Sequence, residues 1–165
     1  MAKWTRNSHR DAFINALATD SIRSCDIASR LKFNFSYFDG SQEPGLDIAD
    51  FDNLFAVGLI DKMKAFSRSP LSYWQKERVG AGGLKVLEIY GKFPTRSEFT
   101  HPKHVPHDVL WGRFRLDNMA RLIGFVLPAE YSNTACEKHK FNYDCNTFYV
   151  VFVDLEHKFY CVENR

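Results

Sequence analysis

The sequence predicts an α+β domain in which a largely antiparallel sheet is covered by a helical pair, with an added helical segment at the N-terminus. Two segments of helical period, Asp47–Phe66 and Ser69–Arg78, follow one another directly. Period-two strands then come in succession at Leu110–Leu116, Arg121–Leu127 and Thr147–Val153, and an earlier one, Leu31–Tyr37, precedes the helices. Grouped helices and grouped strands, without a strict alternation, are what an α+β fold requires.

At 165 residues and 45% hydrophobic content the chain is long and apolar enough to bury one core, so residues 1–165 are read as a single domain. Residues 1–30 form its helical extension and residues 31–165 its core. A net charge of +2 gives no global basicity, so any nucleic-acid interface must rest on local clusters. The start, Met1-Ala2-Lys3-Trp4-Thr5-Arg6, lacks the apolar run of a secretory signal, and no window approaches a membrane span. The expectation is a cytoplasmic protein without a membrane partner. In a reducing compartment Cys25, Cys136, Cys145 and Cys161 are then free thiols, Cys161 a small core residue, and a disulfide, if formed, would join Cys136 to Cys145.

Each element has a local reason. Phe13, Ile14, Leu17, Ile22, Ile27 and Leu31 recur at helical spacings through Arg10–Arg30, which Asp20-Ser21 divides by capping a second short helix. Leu31, Phe33, Phe35 and Tyr37 alternate with Lys32, Asn34, Ser36 and Phe38 as a strand with one buried face. Asp39 to Gly45 carries loop chemistry. In Asp47–Phe66 the stripe Phe51, Leu54, Phe55, Leu59 and Met63 faces the sheet, with Asp50 and Asp52 at the N-terminal turn and Lys62 and Lys64 at the C-terminal one. Ser69 caps the second helix with Pro70 at its first position, and Gly80-Ala81-Gly82-Gly83 stops it, since no Gly-Lys-Ser/Thr follows to make a phosphate cradle. Leu84–Tyr90 is a strand, and Gly91–Asp108 a polar excursion containing prolines.

The segment Leu110-Trp111-Gly112-Arg113-Phe114-Arg115-Leu116, an Asp117-Asn118 turn, and Arg121-Leu122-Ile123-Gly124-Phe125-Val126 form a hairpin. Alternation sets Trp111, Arg113 and Arg115 on one face and Leu110, Phe114 and Leu116 on the other. A face with two guanidinium groups suits either solvent or a phosphate-rich partner, because each guanidinium offers a planar fork of donors. The C-terminal cluster Glu156-His157-Lys158-Phe159-Tyr160 adds an imidazole and a phenol to that second reading.

This order of elements resembles the RelE/YoeB-type bacterial toxins, ribosome-associated mRNA endoribonucleases. The residues that carry the resemblance are Trp111-Gly112-Arg113, Arg115-Leu116-Asp117-Asn118-Met119-Ala120-Arg121-Leu122-Ile123, and His157-x-x-Tyr160. The chain is longer than a typical member, and two residues separate its His and Tyr, which in the family are adjacent or nearly so. The resemblance implies a RelE-like core and metal-independent cleavage of mRNA by attack of the 2′-hydroxyl, with no cofactor. It implies catalytic roles for Arg113, Arg115, Arg121, His157 and Tyr160, and RNA contacts from Trp111 and Lys158. Lys103, His104 and His107 join those contacts because their segment leads directly into Trp111. Glu88 and Glu98 lie where the family places its glutamate base. The implied partners are mRNA, the ribosome and an inhibitory antitoxin protein. Chemically the set is sound: arginines stabilise the phosphorane-like transition state, a histidine transfers protons near neutral pH, and a tyrosine stacks a base.

Two other readings compete. One is a non-catalytic protein- or RNA-binding module on the same fold. The other is a zinc-stabilised domain built on His101, His104 and His107 with Cys136, His139 and Cys145, since Cys-x-x-His has metal-ligand spacing. The two prolines that stiffen the histidine segment, and the lack of a second close pair, weigh towards a surface loop and no metal site. No Gly-x-Ser-x-Gly elbow, dinucleotide fingerprint or Walker loop occurs, and Asp47, Asp50 and Asp52 lack the later ligands of a calcium loop.

Overall fold

A computed structural model describes residues 8–17, 20–116 and 120–161. In chain order its elements are α1 (Ser8–Ala16), β1 (Lys32–Asn34), α2 (Asn53–Phe66), α3 (Leu71–Trp74), β2 (Arg78–Val79), β3 (Leu84–Lys85), β4 (Leu87–Gly91), β5 (Leu110–Arg115), β6 (Arg121–Val126) and β7 (Thr147–Asp154). Five strands form one sheet in the order β1-β7-β6-β5-β4, antiparallel except for the parallel β1–β7 pair. The fold is therefore α+β with a mostly antiparallel sheet, and the four expected strands do share it. Asp117-Asn118, the expected turn between β5 and β6, lies outside the described residues.

Both faces of the sheet are covered. Towards the helices, Phe114 stacks on Phe66 of α2 at 4.7 Å and meets Phe148 edge-on at 4.9 Å, in a core that also holds Leu59, Leu71, Leu87, Leu122 and Val150. Each such side chain contributes roughly 1.5–3 kcal/mol by leaving water. Phe51, Phe55 and Leu59 pack as expected, whereas Leu54 is 84% exposed. The reason is phase: the α-helix begins only at Asn53, with the Asp52 carboxylate capping the Phe55 N–H, and residues 48–50 form a separate 3-10 turn capped by Asp47. Helical phase from Phe55 and Leu59 then turns Leu54 outward.

The second face was expected to be open and is largely closed. Residues 92–109 are apolar where it matters: Phe99, Val105 and Val109 cover Trp111, Ile123, Phe125, Val151 and Phe152, joined by Phe93 and by Phe159 from beyond β7. Strand β7 serves both faces through a bulge, since Ile123 pairs with Phe152 but Gly124 with Val150. Phe148, Val150 and Val153 thus face the helices, and Val151 and Phe152 the other layer. Gly124 is required there, because a Cβ would collide with the Tyr149 carbonyl and the Phe148 ring.

Three more expectations are corrected. Strand β1 ends at Asn34, whose side-chain oxygen accepts from the Ser36 N–H at 2.8 Å and turns the chain away, leaving Phe35 exposed and Tyr37 on the second face. Helix α3 has Pro70 in place of Ser69 at its N-cap, so no side chain caps it, and it ends at Trp74; Arg78–Val79 pairs with Leu84–Lys85, and the glycines make a hairpin turn instead of stopping a helix. The helical stretch Arg10–Arg30, of which residues 18–19 are outside the described set, is reduced to α1 and a 3-10 turn at Ile27–Ser29. Its Phe13, Ile14, Leu17, Ile22 and Ile27 are exposed, and of that series Leu31 alone enters the core. Cys161 is half-buried, and all four cysteines are free thiols. No helix among the described residues is long and apolar enough to cross a membrane.

Candidate functional site

Alternation along β5 sends Trp111, Arg113 and Arg115 to the second face, as the sequence indicates, but the two ends of that face differ. At the Trp111 end the aromatic cover is complete and Trp111 is 1% exposed. Towards Arg115 the cover stops. The edge left there is a solvent-open depression of about 430 Å³ lined by Glu98, Arg113, Arg115, Glu156, His157, Lys158, Tyr160 and Cys161.

A buried carboxylate shapes one wall. Asp154 is 1% exposed; its Oδ1 accepts the N–H groups of Glu156 and Lys158, each at 3.1 Å, and its Oδ2 that of Phe159 at 2.9 Å. These bonds curl the chain after β7 into a tight turn with His157 in the left-handed region (φ 62°), where non-glycine residues are uncommon. The Phe159 ring then enters the aromatic layer, 5.3 Å from Phe93 and 5.6 Å from Trp111. Its neighbours Lys158 and Tyr160 line the depression. Backbone bonds from Glu98 N–H to Lys158 C=O (3.0 Å) and from Cys161 N–H to Arg96 C=O (3.1 Å) tie this turn to the 92–109 loop and set Glu98 on the opposite wall.

The cations are not equivalent. Arg113 donates to Glu88 at 3.0 Å, lies 5.4 Å over the Tyr90 ring, and keeps an Nε without a hydrogen-bond partner. Among the described residues Arg115 commits only its Nε, to the Lys85 carbonyl at 3.1 Å, which leaves its terminal nitrogens available there. Lys158 pairs with Glu156 at 2.8 Å; their hydrogen bond holds the Glu156 carboxyl below its usual range and lifts the Lys158 ammonium above its own. Tyr160 stacks on Tyr90 at 4.7 Å and 3°, with 43% of its own surface exposed. Burial pushes the Tyr90 hydroxyl well above the ordinary tyrosine range, against the pull of the Arg113 charge, so it stays protonated.

Of the residues read from sequence, Arg113, Arg115, His157, Lys158 and Tyr160 are brought together. Arg121 is not. It stands opposite Arg115 and Asp154 in register but is 2% exposed, donates to the Ala120 carbonyl at 2.8 Å, and borders a different depression with Lys62, Phe66, Trp74 and Leu116, which of the site residues Arg115 alone also lines. Trp111, expected to touch RNA, is core. Lys103, His104 and His107 also lie outside the depression; His104 stacks on Tyr37 and shares a 3.1 Å hydrogen bond with the Tyr37 carbonyl. His101 packs between Phe93 and Trp111. Among the described residues no three His, Cys, Asp or Glu side chains are placed to hold a metal ion. Sequence reasoning did not single out Tyr90 and Asp154. An Asp directly after a strand, where turns draw on its side chain, was the available signal for the second.

Comparison of the chain with protein-family models, curated proteins and solved structures gives no match.

Proposed function

We propose that this chain binds and cleaves RNA without a metal, in the manner of the RelE/YoeB-type toxins it resembles. The observation that carries the reading is the depression itself, where two carboxylates, an imidazole, two guanidinium groups, an ammonium and a stacked tyrosine converge from three separate segments. In this reading the free nitrogens of Arg115 receive the scissile phosphate, and Arg113 and Lys158, paired with Glu88 and Glu156, are flanking donors. Glu98 takes the proton of the 2′-hydroxyl as its oxygen bonds to phosphorus. His157 donates a proton to the departing 5′-oxygen, leaving a 2′,3′-cyclic phosphate and a free 5′-hydroxyl. Tyr160 offers its outer ring face to a base. The substrate is mRNA, alone or on the ribosome, and an inhibitory protein partner holds the activity in check.

The test is incubation of the purified chain with end-labelled single-stranded RNA in the presence of chelator. Cleavage to cyclic-phosphate ends is expected, with Arg115→Ala slower by about 10²–10³, as for loss of one preorganised donor. Intact RNA after incubation with the folded protein, free or with ribosomes, would remove the catalytic reading. The binding-module alternative is favoured by one feature: Arg113 is already neutralised by Glu88. Salt-sensitive RNA binding without cleavage would select it.

A further inference from the structure

A second depression, of about 590 Å³, lies between α3, the Leu110 and Val126 ends of β5 and β6, and the 128–146 loop. We propose that it binds an uncharged nucleobase or nucleoside. It is distinct from the RNA site: its floor residues Leu71, Leu110 and Val126 belong to the helix-side layer, and it shares no lining residue with the depression around Arg115.

The lining defines the ligand. The floor is aliphatic and suits a flat apolar face. Around it stand Ser72, Gln75, Asn133 and Asn142, whose hydroxyl and amide groups make no hydrogen bond to the described protein. Asn133 is held in the left-handed region (φ 62°). The cation of the lining, Lys32, is paired with Asp144 at 2.8 Å, so no free positive charge awaits a phosphate. Asn146, also on the wall, is fully engaged: its oxygen accepts from Leu71 N–H and its amide donates to the Ser29 and Arg30 carbonyls. What remains is an apolar floor with a rim of neutral donors and acceptors, within the size range of small-molecule sites. A nucleobase matches it, being planar and apolar on its faces with donors and acceptors along one edge. Side-chain amides pair bidentately with adenine in particular. A sugar phosphate would meet the Asp144 carboxylate and no unpaired cation.

The experiment is isothermal titration of the full chain with adenosine, guanosine, cytidine and uridine, with the matching 5′-monophosphates and glucose as separate arms. Saturable nucleoside binding is expected, strongest for adenosine and weaker for its monophosphate. Gln75→Ala, and Asn133→Gly, which keeps the left-handed backbone, should each weaken it about five- to tenfold, the worth of one neutral hydrogen bond. Arg115→Ala should leave it unchanged, which separates this site from the RNA reading. No saturable nucleoside binding at about 5 mM, a concentration that fills a site with a Kd of about 1 mM, overturns the proposal. So does binding that needs the phosphate, binding of glucose in place of nucleoside, or affinity untouched by the Gln75→Ala/Asn133→Gly double variant.

Discussion

Replacing Asp154 by asparagine removes one acceptor from a carboxylate that receives three backbone N–H groups at 2.9–3.1 Å in a site 1% exposed. The amide oxygen can keep Glu156 and Lys158, but its NH₂ then faces the Phe159 N–H, donor against donor. A hydrogen bond to a charged group contributes about 1.5–3 kcal/mol, and stranding a buried donor costs about 1–3 kcal/mol more. Part of this is recovered because the turn is also held by the Phe159 ring and by the Glu98 and Cys161 backbone bonds. A loss of about 3 kcal/mol is therefore expected, a fall in Tm of about 6–12 °C for a chain of this size. Urea denaturation supplies the free energy, and amide hydrogen exchange at Lys158 and Phe159 locates it. Both should speed up selectively, because the turn opens before the sheet does. If Asp154→Asn lowers stability by less than about 0.5 kcal/mol, the range of an ordinary surface substitution, the carboxylate is not what shapes this wall.

Two further outcomes follow. Arg121→Ala should destabilise by about 2–4 kcal/mol in urea, as truncation of a buried side chain does, whereas Arg115→Ala should cost less than about 1 kcal/mol; an Arg121→Ala protein as stable as the wild type but inactive on RNA would return Arg121 to the site. For Asp144, burial raises the pKa, but the hydrogen bond with Lys32 and the Asn146 N–H outweigh it, and the net value is below the usual one. A depressed carboxylate contributes stability that is complete above its unfolded value, about 3.9, and lost as pH falls through the folded one. The stability gap between wild type and Asp144→Asn should accordingly be flat above about pH 5 and close in more acid solution, and a gap that widens on acidification contradicts it.

Strands were legible where period two coincided with burial. Leu110–Arg115, Arg121–Val126 and Thr147–Asp154 lie within a residue or so of their expected ends. Helices are legible as existence and less so as phase: the spacing Phe51–Leu54 turns Leu54 inward only if Phe51 is helical, and the helix begins at Asn53, after the Asp52 cap. The glycine run misled because a hairpin turn and a helix stop use the same residue for the same left-handed backbone, here at Gly80 and Gly83. The second layer was hidden altogether. Phe93, Phe99, Val105 and Val109 stand at irregular spacings among prolines and histidines, with no period to announce a buried face.

That hidden layer decides the meaning of the arginine strand. Trp111, Arg113 and Arg115 share one pleat face, and alternation alone cannot say whether such a face is core, solvent or site. Here it changes along its length, from Trp111 under a complete aromatic lid, through Arg113 at 15% side-chain exposure beside Glu88 and Tyr90, to Arg115 with its terminal nitrogens available. The boundary is set by Phe159 and Tyr90, which close the apolar layer on one side and present Tyr160 on the other. The site therefore depends on two docked loops, 92–109 and the turn after Asp154, and neither would be held without the aromatic side chains beneath it. Guanidinium groups at the rim of a packed aromatic layer have fewer orientations open to them than on a bare sheet face. Such restriction is the condition under which donors act on a transition state without reorganising. In this chain the lid over Trp111 and the depression at Arg115 are built by the same two segments, 92–109 and the turn after Asp154, through different side chains.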